Sequence, residues 1–278
     1  MIHSIFLVVL GQRVRVEVEE RGQQQLLLAN FRAMAHADEG LPADLAYVIA
    51  ATPDGALEIR RAGQAPVPCA APGNLLSLLE KCLTVDLQKR RPDLLFLHSA
   101  ALAWQGKAYL FAADSGSGKS TTSWALLQHG FGYLSDELSP IDLESMQIQP
   151  YPHALCLKQP PPAPYALPDA TIRLPRTMHV PTKSLPAPTV TEPLPLGGVF
   201  LLRYRPDLEA PELQTIGAAE AGARLYLTAL NALAHRDHGL DAIVRIVSHV
   251  PCYALSTADL ARTCELIRTA VEHEPQRC

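Results

Sequence analysis

The residues Ala113-Asp114-Ser115-Gly116-Ser117-Gly118-Lys119-Ser120-Thr121 carry the strongest chemical signal in the chain. They match the phosphate-binding pattern G-x-x-x-x-G-K-[ST] at every fixed position except the first, where Ala113 replaces glycine. The spacing has a physical reason. Gly116 and Gly118 can adopt backbone conformations that turn successive N–H groups inward around an anion. A helix beginning near Lys119 adds its positive N-terminal end to that cradle. Lys119 would neutralise the β- and γ-phosphates of ATP or another nucleoside triphosphate, Ser120 would offer its hydroxyl to Mg²⁺, and Thr121 would reach the α-phosphate. Asp114, Ser115 and Ser117 complete the nucleotide-binding loop. Alanine suits position 113 if the backbone there is extended, since a left-handed conformation would cost it about 1 kcal/mol.

The second feature is Tyr133-Leu134-Ser135-Asp136-Glu137. Two adjacent carboxylates end a short strand soon after the loop's helix, where a nucleotide enzyme keeps its metal-side acid. Neighbours on an extended backbone point to opposite sides. One of Asp136 and Glu137 can therefore serve the metal while the other faces an acceptor hydroxyl as base. The third feature is His98, in Leu97-His98-Ser99. A lone histidine on an apolar strand is commonly a core residue. Here, however, 94–103 and 107–112 read as antiparallel neighbours, which would put His98 beside the start of the loop.

Together these residues resemble the catalytic domain of the HPr kinase/phosphorylase family, over Leu97-His98-Ser99, Ala113 to Thr121 and Leu134-Ser135-Asp136-Glu137. The likeness is best over 94–158 and looser over 197–204 and the closing helices. That family shares its P-loop core with the PEP carboxykinase-like kinases. Its smaller relatives include kinases for a serine on a lasso peptide precursor and kinases for free serine. The resemblance implies catalytic roles for Lys119, His98 and Asp136, with Asp136 as the base toward the acceptor serine and His98 near the γ-phosphate. It implies a metal site of Ser120, Asp136 and Glu137, with Glu137 standing where the family has a second aspartate. The downstream glycine-arginine-asparagine signature of the bifunctional enzymes is missing, so neither HPr as substrate nor the reverse phosphorylase reaction is carried over. Those enzymes are hexamers, and a homo-oligomer is compatible with the resemblance. The likeness is to the smaller relatives, the lasso peptide precursor kinases above all.

A triphosphate site also wants a cation for charge developing on the γ-phosphoryl oxygens. Lys158, ending the run Leu155-Cys156-Leu157, and Arg203 are the candidates for phosphate or substrate contact, with Arg173, Arg176, Lys183 and Arg205 also available. His153 and His179 have no assigned role.

These residues need elements to position them. Residues 1–90 read as a β-rich N-terminal subdomain plus a linking helix. Strands are expected at 4–10 and 14–19, with a hairpin over 47–51 and 56–60 around Pro53-Asp54-Gly55 and a helix over 74–90. Residues 91–278 read as the P-loop kinase domain. It would hold a strand over 94–103, a helix over 120–129 stopped by Gly130, a strand over 198–204 and helices over 218–234, 240–247 and 257–272. The proline-heavy stretch 160–195 reads as a wrapping loop or a lid, because proline removes backbone donors. The fold class is α/β, an HPr kinase/PEP carboxykinase-like core with a small N-terminal β-rich subdomain.

Composition narrows the classes. With 278 residues, 48% hydrophobic and 19% charged, the chain can bury a substantial core. A net charge of -4 makes no case for nucleic acid. The apolar opening 2–10 lacks a basic region and a cleavage site, and no later apolar run reaches the roughly 20 residues a bilayer span needs. Six scattered cysteines without a C-x-x-C pair suit free thiols and a cytoplasmic location, with Cys278 open to oxidation. The expected partner is a peptide or small protein bearing a serine, with neither nucleic acid nor membrane as partner. Free serine or another small metabolite is the alternative acceptor, and a nucleotide-gated binding module is the alternative without catalysis. GTP and pyrophosphate remain open as donors.

Overall fold

In the computed structural model residues 2–114 and 116–273 are described, so Ser115 of the loop and the terminal Cys278 lie outside the described residues. β1 (His3–Val9) and β2 (Gln12–Val18) form an antiparallel hairpin. Every second residue is buried, Ile5, Leu7 and Val9 with Val14, Val16 and Val18, as the period of a strand requires. From Val18 the chain continues into α1 (Arg21–Phe31), a helix that the reading of 1–90 as β-rich with one linking helix over 74–90 does not include. Its stripe is weak: Gln23, Gln24 and Gln25 precede three consecutive leucines, a pattern with no helical spacing. β3 (Ala35–His36), β4 (Leu45–Ala51), β5 (Leu57–Arg61) and β6 (Val67–Cys69) complete a six-stranded sheet ordered β3-β1-β2-β4-β5-β6. The β4–β5 hairpin turns at Pro53-Asp54-Gly55, with Gly55 at φ +82°.

α2 (Leu75–Arg90) lies against this sheet. Its Leu76, Leu79, Leu83 and Leu87 share one core with Leu7, Val16 and Phe31, and also with Leu94, Phe96, Leu138 and Tyr151 from further along. The helix is therefore the seam between the two parts of the chain.

The second part begins with β7 (Leu94–Leu97), β8 (Ser99–Trp104) and β9 (Lys107–Ala113), followed by α3 (Lys119–Gln128), β10 (Gly132–Ser135), β11 (Ser139–Asp142) and β12 (Gln147–Ile148). β13 (Leu155–Leu157), β14 (Ile172–Arg173) and β15 (Met178–Val180) make a small antiparallel sheet. β16 (Leu194–Tyr204), β17 (Glu212–Thr215), α4 (Ala218–Tyr226), α5 (Leu240–His249), β18 (Cys252–Thr257) and α6 (Leu260–Glu272) close the chain. The main sheet runs β10-β8-β9-β16-β12-β11-β7, with β18 beside β16 and β17 beside β18. β9, β16 and β18 are parallel.

After Lys107, β9 is apolar because both its faces are covered. Tyr109, Phe111 and Ala113 pack with Trp124 of α3 and Ile267 of α6, while Leu110 and Ala112 pack with Leu225 of α4 and Ile243 of α5. Two expectations need correction. The single strand over 94–103 is two strands broken at His98, because β7 pairs with β11 whereas β8 pairs with β9. The helix over 218–234 ends at Tyr226, and Asn231 instead bonds β7, accepting from the Phe96 N–H and donating to the Leu94 carbonyl at 2.9 Å each. The proline-heavy stretch wraps the α3 face: Tyr165 O accepts from Trp124 Nε1, and Pro188 O accepts from the Tyr133 N–H. Among the described residues no helix is long and apolar enough to cross a membrane.

Candidate functional site

The glycine loop opens at the C-terminal edge of the parallel strands. Ala113 still belongs to β9, paired with Leu202 of β16, so the extended backbone accepts alanine without strain. Gly116 and Gly118 are left-handed at φ +89° and +83°. Nothing lies within 4 Å of a Cβ built on Gly116, so conformation rather than space selects glycine there. Gly118 caps α3 with no side-chain hydrogen bond. The first-turn N–H groups of that helix therefore face the loop without an internal acceptor, and a phosphate fits them. Ser120 and Thr121 sit on that first turn, half-buried; Ser117 is half-buried, its N–H bonded to Asp114 O at 3.0 Å, and Asp114 is exposed.

Lys119 is 8% exposed. Its ammonium donates to the backbone carbonyl of Asp136 and lies 3.3 Å from Glu137 Oε2. The other oxygen, Glu137 Oε1, is 3.4 Å from His98 Nδ1. His98 is delivered here by the break between β7 and β8, where its N–H donates to Thr228 O at 2.8 Å. Glu137 is delivered by a turn after β10, in which Ser135 Oγ accepts from the N–H groups of Glu137 at 3.3 Å and Leu138 at 3.1 Å.

That turn gives the two carboxylates opposite surroundings. The Glu137 side chain is 48% exposed, whereas Asp136 is 0% exposed. Asp136 Oδ1 accepts from the Tyr133 hydroxyl at 3.0 Å and lies 3.5 Å from His153 Nε2. Asp136 Oδ2 accepts from the Cys156 N–H at 2.9 Å. Asp136 thus faces inward, held by its hydrogen bonds, and Glu137 faces the loop. None of Tyr133, His153 and Cys156 carries a local motif; only the folded contacts bring them to Asp136.

The electrostatics follow from this placement. Burial acts to raise the Glu137 pKa, but Lys119 first, then His98 and His153, bring it below the ordinary carboxylate value. His98 is held below the usual imidazole value by burial and by Lys119, with Glu137 opposing. Tyr133 is pushed far up by burial and by the Asp136 charge.

A cavity of about 550 Å³ opens beside the loop, lined by Asp114, Ser117, Arg203, Tyr204, Arg224 and Ser256 among others. Arg203 reaches it from the end of β16. Arg224 reaches it from α4, held 3.3 Å from Glu220 and 3.3 Å from Leu201 O; nothing in the local sequence singled it out. Lys158 is exposed just past β13, two residues beyond Cys156, and does not line this cavity. Among the described residues no group of His, Cys, Asp and Glu forms a metal cage. A magnesium ion held chiefly by phosphates and water would need none.

No family model matches the chain, and no curated protein matches it. Among solved structures, the HPr(Ser) kinase/phosphatase from Coxiella burnetii is similar at 15% identity, over 64% of this chain and 88% of that one, with a TM-score of 0.33.

Proposed function

We propose that the chain is an ATP- and Mg²⁺-dependent kinase that transfers the γ-phosphoryl group to a serine hydroxyl of a peptide or small protein. One observation carries this reading: Lys119 of the glycine loop, Glu137 and His98 form a single cluster at the mouth of the loop. A loop that only held nucleotide would have no use for a half-exposed carboxylate and a neutral imidazole at its phosphate end.

The chemistry follows from the placement. The loop N–H groups and the start of α3 would hold the triphosphate, with Lys119 on the β- and γ-phosphates. The Arg203–Tyr204 cavity would take the nucleoside end. Magnesium, held by Ser120 and the phosphates, would supply charge neutralisation on the γ-phosphoryl oxygens. Glu137, rather than Asp136, would accept the serine hydroxyl proton as the serine oxygen bonds to γ-phosphorus and the bond to the β-phosphate oxygen breaks. His98 would hold the Glu137 carboxylate in place. Asp136 would anchor the turn from inside.

A peptide acceptor is favoured over free serine by the surface next to His98. The segment bonded to the His98 N–H and to β7 bears Leu227 and Leu233, 81% and 82% exposed. Such side chains suit apolar residues flanking a serine and offer nothing to free serine. A cytoplasmic location fits this chemistry and the free thiols of Cys69, Cys82, Cys156, Cys252 and Cys264. Incubation with γ-labelled ATP and serine-containing peptides, followed by mass spectrometry, tests the reading. Label on a peptide serine supports it; tight ATP binding without transfer to any hydroxyl moves the protein to a nucleotide-gated binding module.

A further inference from the structure

A buried line of polar side chains runs from the N-terminal sheet to Asp136, and the transfer chemistry leaves it unused. His153 is 1% exposed and stands between two carboxylates. Its Nε2 is 3.5 Å from Asp136 Oδ1, and its Nδ1 is 3.6 Å from Glu80 Oε1. Among the described residues neither ring nitrogen has a closer hydrogen-bond partner. Glu80 belongs to α2 and accepts from Asn30 Nδ2 at 2.7 Å. Asn30, at the end of α1, is fully buried, and its backbone carbonyl accepts from the Ala154 N–H at 2.7 Å. The line therefore joins α1 and α2 to the residue that precedes Glu137.

Burying a ring and one acid beside a second acid that is 18% exposed is costly unless each is paired. Apolar packing could have done the structural work, since α2 meets the same neighbours through Leu79 and Leu83. The other two holds on Asp136, from Tyr133 and the Cys156 N–H, come from β10 and β13 on its own side of the seam. Among the described residues, His153 is the side chain that stands directly between Asp136 and Glu80 of the N-terminal helices. The charges feel one another across the seam: burial raises the Glu80 pKa, His153 and Asn30 oppose that, and Asp136 and Glu137 add to it.

We propose that His153 is a positioning residue, bridging Glu80 of α2 to Asp136 so that the N-terminal helices hold the Asp136–Glu137 turn in register with Lys119. The consequence for rate rests on the kinase reading; the bridge itself does not. Two readouts on the full-length protein separate them, in E80Q, H153Q and the double variant. The first is kcat against ATP affinity. Each single variant is expected to lower kcat about tenfold with the ATP Kd within about twofold, and the double variant to lose no more than either, since each breaks the same bridge. Additive losses, or an unchanged kcat in folded variants, would overturn the proposal. The second readout is amide hydrogen exchange at Cys156, whose N–H donates to Asp136, and at Glu137, whose N–H donates to Ser135 Oγ in the same turn. About tenfold faster exchange there, with the β9 amides unchanged, is expected in both single variants. Unchanged exchange at those two amides overturns the bridge even if the wild type transfers no phosphoryl group, an outcome that would sink only the kinase reading. E80Q is the milder change, and it keeps both readouts available if H153Q folds poorly.

Discussion

The ammonium of Lys119 lies 3.3 Å from Glu137 Oε2, so the loop's lysine and the carboxylate after β10 form an ion pair across the mouth of the site. The pair keeps Glu137 ionised but a poor base, because Lys119 is the main group pulling its pKa down against burial. Phosphate oxygens arriving at the loop would compete for the same lysine. In the proposed transfer, drawing Lys119 away would raise the basicity of Glu137 when an acceptor is needed and so would couple nucleotide binding to proton transfer.

Lys119→Met is expected to weaken ATP binding by about 100-fold, the loss of one or two charge-assisted bonds to phosphate. Isothermal titration in the presence of Mg²⁺ measures it. An unchanged affinity would mean that the triphosphate does not lie on this loop.

Gly118→Ala and Ala113→Gly should behave in opposite ways although both touch the same motif. At φ +83° an alanine at 118 costs about 1–2 kcal/mol and distorts the start of α3, lowering both the melting temperature and ATP affinity. Restoring glycine at 113, in an extended strand position, brings no gain in affinity and a small loss of stability. Improved binding by Ala113→Gly would show that the loop closes differently around nucleotide.

Asp136→Asn is expected to be chiefly a stability mutation. The Cys156 N–H and the Tyr133 hydroxyl both donate to the carboxylate, and an amide cannot accept on both sides. The amide loses one of the two acceptor contacts, at about 1–3 kcal/mol, while Tyr133→Phe removes the hydroxyl's bonds to Asp136 and to the His153 carbonyl, at about 1–2 kcal/mol. Urea unfolding compares the two. A fully stable Asp136→Asn that loses all transfer while binding ATP would return the role of base to Asp136.

Stability should fall in acid through His179. Burial, with help from His153, depresses its pKa to about 4. The neutral ring fits its contacts: Nδ1–H donates to Asn30 Oδ1 at 3.1 Å, and Nε2 accepts from the Thr177 hydroxyl at 3.0 Å. The unfolded chain takes up a proton near pH 6.5 and the folded one not until about pH 4, so acid favours unfolding between those values. The contribution is fully present above about pH 6.5 and is lost as pH falls, by up to about 1.4 kcal/mol per unit. Glu80, with its raised pKa, acts in the opposite sense and is common to wild type and His179→Asn. Urea titrations at about pH 7 and about pH 4.5 should show a wild-type advantage that shrinks in acid; parallel losses would show that His179 is already charged in the fold.

Much of this architecture was legible locally. The glycines of the loop, the apolar run of β9 and the turn at Gly130 each state their conformation through their own residue types. So does the antiparallel β8–β9 pair, which brings His98 to the loop. What was not legible depends on partners far along the chain. The run from Leu94 to Ala103 is interrupted only by His98 and Ser99, and neither residue type announces that the strand changes neighbours there. Which of Asp136 and Glu137 turns inward is decided by the Ser135 hydroxyl and by Cys156, twenty positions on. His153 looked featureless because its meaning lies in Glu80, on a helix of the N-terminal part. The helical pattern past Tyr226 was misleading for a similar reason: Asn231 is drawn to β7.

The most direct test is single-turnover transfer from γ-labelled ATP to a serine-containing peptide by the wild type, Glu137→Gln and Asp136→Asn, with ATP affinity measured in parallel. The account expects label on serine with the wild type, a loss of about 100- to 10,000-fold in rate for Glu137→Gln with ATP affinity nearly intact, and a smaller loss for Asp136→Asn that follows its stability. Transfer that survives in Glu137→Gln, or a wild type that binds ATP tightly and labels no hydroxyl, would contradict it.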